Sequence, residues 1–142
     1  MSGLLLDVNV LVALAWPQHI HHAAARAWFA VEAKHGWATA PITESGFIRV
    51  SCNPRAVDDA RTPAEAADYL EALRNVGAWT FWSDNVQLTT SMQGAYGFRQ
   101  VTDAHLLQLA HEHDGAVATF DMGLVRLAEA RGQAAVLIAD GV

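Results

Sequence analysis

The sequence predicts an α/β fold with a mostly parallel central sheet of about five strands flanked by helices. Two observations carry this. Short apolar runs alternate with longer amphipathic ones along the chain, and several acids stand where an apolar run gives way to a helix. With 142 residues, 52% of them hydrophobic, the chain is long enough to bury one sizeable core, so a single domain spanning 1–142 is expected.

Taken in order, the strands are predicted at Leu4 to Leu6, Trp37 to Ala40, Trp79 to Trp82, Ala116 to Phe120 and Ala135 to Ile138. Helices are predicted from Asn9 to Ala15, His19 to Lys34, Thr43 to Ser51, Pro63 to Val76, Asp103 to His113 and Gly123 to Arg131. Thr62-Pro63-Ala64-Glu65 reads as a capping box with proline at the first helical position, and Gly77 closes that helix. Thr102 reads as the N-cap of the helix opening at Asp103, which Gly115 closes. The polar stretch from Asn53 to Arg61 reads as a surface loop.

No apolar run reaches the roughly 20 residues needed to cross a bilayer, and Met1 to Asp7 lacks the basic flank of a signal peptide, so a cytoplasmic protein with no membrane contact is expected. The single cysteine, Cys52, has no second thiol for a disulfide or a zinc knuckle and is expected to be buried. Net charge is −6, with Lys34 the only lysine. That argues against broad electrostatic capture of nucleic acid, although a metal cluster offsets its own carboxylates and a few arginines suffice to hold phosphates.

Four acids stand out. Asp7 ends the first apolar strand and Asp121 lies just beyond the fourth, both at carboxyl ends of parallel strands, where open α/β sheets bind ligands. Asp103 begins a helix, and Glu44 lies in the first turn of the helix after the second strand. Each is followed by apolar residues at +3 and +4, but with 15 acids in the chain composition alone gives roughly four such cases, so placement carries the argument. Taken singly, each acid has a plain explanation in caps and the helix dipole. Taken together, converging carboxylates repel by about a few kcal/mol per pair and call for a cation or extra protons. Oxygen-only ligands point to Mg²⁺ or Mn²⁺.

Leu4 to Leu11, Thr43 to Val50, Val101 to Leu106 and Ala118 to Asp121 together resemble the four motifs of a PIN-domain ribonuclease, and more closely the VapC-type toxins of bacterial toxin-antitoxin pairs. The resemblance runs from Leu4 to Ile138. It implies a three-layer PIN-like fold and Mg²⁺-dependent endoribonuclease action, Mn²⁺ substituting, on structured RNA such as tRNA or rRNA. It also implies a cognate antitoxin that silences the enzyme, and a homodimer, for which Trp16 and Ile20 offer apolar surface. Asp7, Glu44, Asp103 and Asp121 match the acidic quartet, with Asp7, Asp103 and Asp121 the expected metal ligands and Asn9 and Thr119 the expected polar supports. Many relatives carry another acid after the fourth motif, where this chain has Met122-Gly123.

Other residues have plainer readings. His19, His21 and His22 read as a helix start rather than a metal site, and His105 as pointing away from Asp103's face. Trp28, Trp37, Trp79 and Trp82 read as core, and Trp16 as an interface residue. Arg49, Arg55, Arg61 and Arg99 are candidate phosphate contacts near the expected crevice. No serine shows a triad arrangement. A response-regulator receiver would need a late lysine, and an aspartyl phosphatase an acid where Asn9 stands. The remaining alternative is a non-catalytic metal-binding or protein-interaction domain of the same fold.

Overall fold

A computed structural model describes residues 3–139. Five strands, β1 (Leu4–Leu6), β2 (Trp37–Thr39), β3 (Trp79–Phe81), β4 (Ala116–Thr119) and β5 (Ala135–Leu137), form one sheet in the order β3-β2-β1-β4-β5, with every pairing parallel. The helices are α1 (Val8–Ala15), α2 (His22–Glu32), α3 (Pro41–Ser51), α4 (Pro63–Leu73), α5 (Leu88–Ser91), α6 (Val101–Glu112) and α7 (Met122–Arg131). No helix among the described residues is long and apolar enough to cross a membrane.

The period-2 alternation of the strands splits the core in two. Leu6, Trp37 and Ala118 face one layer with α1 and α2, while Leu5, Ala38 and Val117 face the other with α6 and α7. The central strands are therefore apolar on both faces, and the edge strands β3 and β5 are partly exposed. Gly46 lets α3 press against α1, because a Cβ there would lie 2.6 Å from a Val8 methyl.

The caps are local and follow the sequence in part. Thr62 and Glu65 exchange both hydrogen bonds of the capping box, Glu65 N–H to Thr62 Oγ1 at 3.2 Å and Thr62 N–H to Glu65 Oε1 at 2.9 Å. Thr102 is not an N-cap. A 3₁₀ turn at Phe98–Gln100 runs straight into α6, so the helix begins two residues earlier, at Val101, with Gln100 as cap. Asp114, not Gly115, takes the left-handed conformation after α6 (φ 59°). Gly115 is required for a different reason: a Cβ there would meet the Gly3 carbonyl at 2.5 Å.

Three further expectations are corrected. Helix α2 starts at His22 rather than His19, because the chain turns at Pro17 to His21, where the His21 N–H donates to His19 Nδ1. Trp16 is 7% exposed and lies under the Arg61 guanidinium, so it is a core residue and not free interface surface. Cys52 is half-buried, at the end of α3.

Candidate active site

From β1 the chain steps outward to β2 and β3, then returns to the other side of β1 with β4 and β5. The crevice between the ends of β1 and β4 is therefore the switch point of the sheet, where flanking connections diverge and leave room for a ligand. Asp7 follows β1 and Asp121 lies just beyond β4. Because Leu6 pairs with Ala118, Asp7 comes opposite Thr119, whose hydroxyl donates to Asp7 Oδ2 at 2.8 Å. The Val8 N–H donates to Asp7 Oδ1 at 2.7 Å, so Asp7 caps α1. Asp121 caps α7 in the same way, its Oδ1 accepting from Gly123 N–H at 2.8 Å. Capping and site-building are not alternatives here, since one carboxylate has lone pairs for both.

Asn9 and Thr119 tie the two strand ends together. The Asn9 carboxamide donates to Thr119 Oγ1 and accepts from the Phe120 N–H, each at 3.3 Å, while Thr119 Oγ1 accepts from the Asp121 N–H at 3.0 Å. Asp103 comes from the first turn of α6, and its side chain lines one crevice with Asp7, Asp121, Asn9, Val12 and His19.

Burial raises the Asp7 carboxyl above its ordinary range, against the lowering effect of the bonds from Thr119 and Val8, and the nearby Asp121 charge adds to the rise. The Asp103 carboxyl is pushed up to about 6, by burial first and then by the charges of Asp7 and Asp121. Among the described residues no arginine or lysine lines the crevice. The donor set is oxygen from carboxylates, which suits a hard divalent cation. Among the described residues no three His, Cys, Asp or Glu side chains stand close enough to close around an ion.

Glu44 is placed differently. It sits in the first turn of α3, but both its oxygens accept from Arg74 Nη2, at 3.0 and 2.9 Å, and Oε2 also accepts from the Thr39 hydroxyl at 2.6 Å. Trp79 Nε1 donates to Thr39 Oγ1 at 3.0 Å, and its ring lies under the Arg74 guanidinium, 4.4 Å away. Glu44 is not among the residues that line the crevice. Arg74 had no signal in the sequence, being 30 residues from its partner.

Arg49, Arg55 and Arg99 are exposed, and neither they nor Arg61 line the acid crevice. His19, set aside from sequence, does line it. A Ser-His-Asp row also exists: Asp84 Oδ2 lies 2.7 Å from His105 Nε2, and His105 Nδ1 lies 2.8 Å from Ser91 Oγ. Ser91 is fully buried and also donates to the Gln87 carbonyl, so the row clamps the segment before α6 against that helix and offers no reachable nucleophile.

Residues 4–130 match the family model described as PIN domain. The chain belongs to the PIN-domain family. Within it, this PIN protein is 52% identical over 128 residues to ribonuclease VapC38 of Mycobacterium tuberculosis, covering 89% of this chain and 91% of that one. It is 45% identical over 130 residues to ribonuclease VapC39 of the same species, covering 89% and 94%. With ribonuclease VapC29 it shares 40% identity over 135 residues, covering 94% and 95%. The crystal structure of FitAcB from Neisseria gonorrhoeae superposes with a TM-score of 0.58 at 19% identity, covering 94% of this chain and 96% of that one, a likeness of fold. The α/β architecture and the VapC-type PIN resemblance read from the sequence both stand.

Proposed function

We propose that this VapC-type PIN protein is an endoribonuclease, the toxin of a type II toxin-antitoxin pair, cutting structured RNA such as tRNA or rRNA with the help of Mg²⁺ or Mn²⁺. The observation that carries the reading is the crevice at the β1/β4 switch point, where Asp7, Asp103 and Asp121 from three separate elements share a site that, among the described residues, no arginine or lysine lines. Three relatives named ribonuclease, each aligned over most of both chains, support the substrate class.

Asp7, Asp103 and Asp121 line the crevice that would take the cation, and since among the described residues no three such side chains close around one point, only one or two of them would bond it directly. When bound, it supplies Lewis acidity, offsetting charge on the phosphate oxygens and easing the ionisation of water. The chain's own part is positional. Thr119 and the Val8 N–H fix the Asp7 carboxylate from two sides, and Asn9 fixes Thr119. Asp103, raised by burial and then by the charges of Asp7 and Asp121, is the carboxylate suited to exchange a proton near neutral pH. Ser91, the serine paired with His105, is sealed in the core, and in this reading water is the attacking group.

The test is cleavage of purified tRNA and rRNA with Mg²⁺, with Mn²⁺ and in EDTA, followed by end-group analysis. One or a few cuts leaving 5′-phosphate and 3′-hydroxyl ends, abolished by EDTA, are expected. Persistence in EDTA, or cyclic phosphate ends, would overturn the mechanism. The same reading gives the protein a cognate antitoxin and a homodimeric state. Ile20, Tyr96 and Phe98, each more than four-fifths exposed, leave apolar surface for protein contacts. A monomer mass by light scattering at micromolar concentration would count against the dimer.

A further inference from the structure

We infer that the cavity between the α1–α2 turn and the loop joining α3 to α4 receives one unpaired nucleotide of the RNA, next to the acid crevice; this rests on the ribonuclease reading above. The cavity has a volume of about 350 Å³, and Trp16, His19, Val57, Asp58, Asp59 and Arg61 contribute to its walls. Ligand pockets run from roughly 300 to 1,000 Å³, so it suits a small ligand or a single residue of a larger one. It is continuous with the catalytic crevice in its lining: His19 and Ala56 belong to both.

The chemistry of the walls selects the occupant. The Arg61 guanidinium lies 4.7 Å over the Trp16 ring, and the Trp16 Nε1 hydrogen is buried without an acceptor in a side chain that is 7% exposed. Those are donors. Asp58 and Asp59 are acceptors on the same walls. A bare phosphate would meet two carboxylates, and an apolar peptide side chain would leave the wall carboxylates without donors. A nucleoside presents base-edge acceptors together with amino and ribose-hydroxyl donors, and its base stacks on aromatic rings or an arginine plane.

His19 is the ring that connects this cavity to the acids, since it lines both. A strand with one base in the cavity would thus pass His19 into the crevice, with its adjacent phosphate beside the carboxylates.

The indole N–H provides the probe. In ¹⁵N-labelled protein the five tryptophan indole signals are resolved by NMR, that of Trp16 being assigned by through-bond experiments, and the metal-free protein is titrated with AMP, GMP, CMP, UMP and inorganic phosphate. At least one nucleotide is expected to move the Trp16 indole signal saturably while phosphate does not. Arg61→Ala should weaken that affinity about tenfold, and Arg61→Lys, which keeps the charge but not the planar stack, should restore it only in part. The proposal is overturned if no nucleotide moves the signal, if phosphate moves it equally, or if only an apolar peptide does, which would make the cavity a protein-docking site. Binding is read here without cleavage. A protein that takes up nucleotides but cuts no RNA upholds the proposal and sinks the ribonuclease reading, and one that cuts RNA with an unmoved signal does the reverse.

Discussion

The acid crevice and the Glu44 cluster are built from the same local ingredients and end in opposite electrostatic states. In each, a carboxylate follows a short buried strand, sits at or near a helix start and accepts from a threonine hydroxyl at a strand end, Thr119 of the neighbouring β4 for Asp7 and Thr39 of its own β2 for Glu44. At Glu44 a guanidinium completes the arrangement. At Asp7 no arginine or lysine joins the crevice among the described residues, two more aspartates do, and the carboxyls of Asp7 and Asp103 rise, through burial first and the neighbouring charges second. A counterion supplied by the chain makes a strut, whereas one withheld leaves a site that must take its positive charge from solution.

The largest expected effect breaks the crevice. Asp7→Asn and Asp121→Asn should each lower RNA cleavage by at least about two orders of magnitude with little change in far-UV circular dichroism. Glu44→Gln is the informative companion. If it lowers cleavage as severely while stability holds, Glu44 works with the crevice and the contrast drawn above fails.

Next in size is the pH dependence of metal uptake. A cation competes with the proton on Asp103, so Mn²⁺ affinity measured by calorimetry should fall up to about tenfold per pH unit below about 6 and level off above it. Asp103→Asn should flatten that dependence. A flat wild-type profile from pH 5 to 7 would separate Asp103 from the metal.

On the other side of the comparison, Arg74→Ala strips Glu44 of its cation. Urea unfolding should show a loss of roughly 1–3 kcal/mol, and Glu44→Gln, which keeps the Thr39 hydroxyl bond, should lose less. Equal stability of Arg74→Ala and wild type would show that the pair does not hold α4 to α3.

The smallest effect concerns the metal-free fold. Asp103 has a folded-state pKa above its ordinary 3.8, so its protonated form favours the fold, and stability is lost as pH rises from about 4 through about 6. Asp103→Asn should therefore melt slightly higher than wild type at pH 8 in EDTA, and the gain should vanish at pH 4.5. A gain of the same size at both pH values would assign it to something other than removal of the buried Asp103 charge.

Most of the secondary structure was legible because its signals are local. The five strands, the Thr62–Glu65 box and the placement of Asp7 and Asp121 at strand ends follow from runs, periods and caps within a few residues. Misreadings arose where a signal had more than one use. Thr102 has the chemistry of an N-cap, yet the preceding 3₁₀ turn had already started the helix. Helix α5 is a four-residue turn too short to show a period.

What the sequence by itself determined is the order of the five strands and the six longer helices, a parallel sheet flanked by helices, and the carboxylates at its carboxyl edge. Only the tertiary structure decided which charges meet. Arg74 reaches Glu44 across 30 residues, His105 is clamped between Asp84 and Ser91, and His19 joins the crevice from a turn that reads as plain helix. The physical reason is that a carboxylate's role depends on the charge within a few ångströms of it. Those neighbours are set by the strand order β3-β2-β1-β4-β5, which no local periodicity encodes.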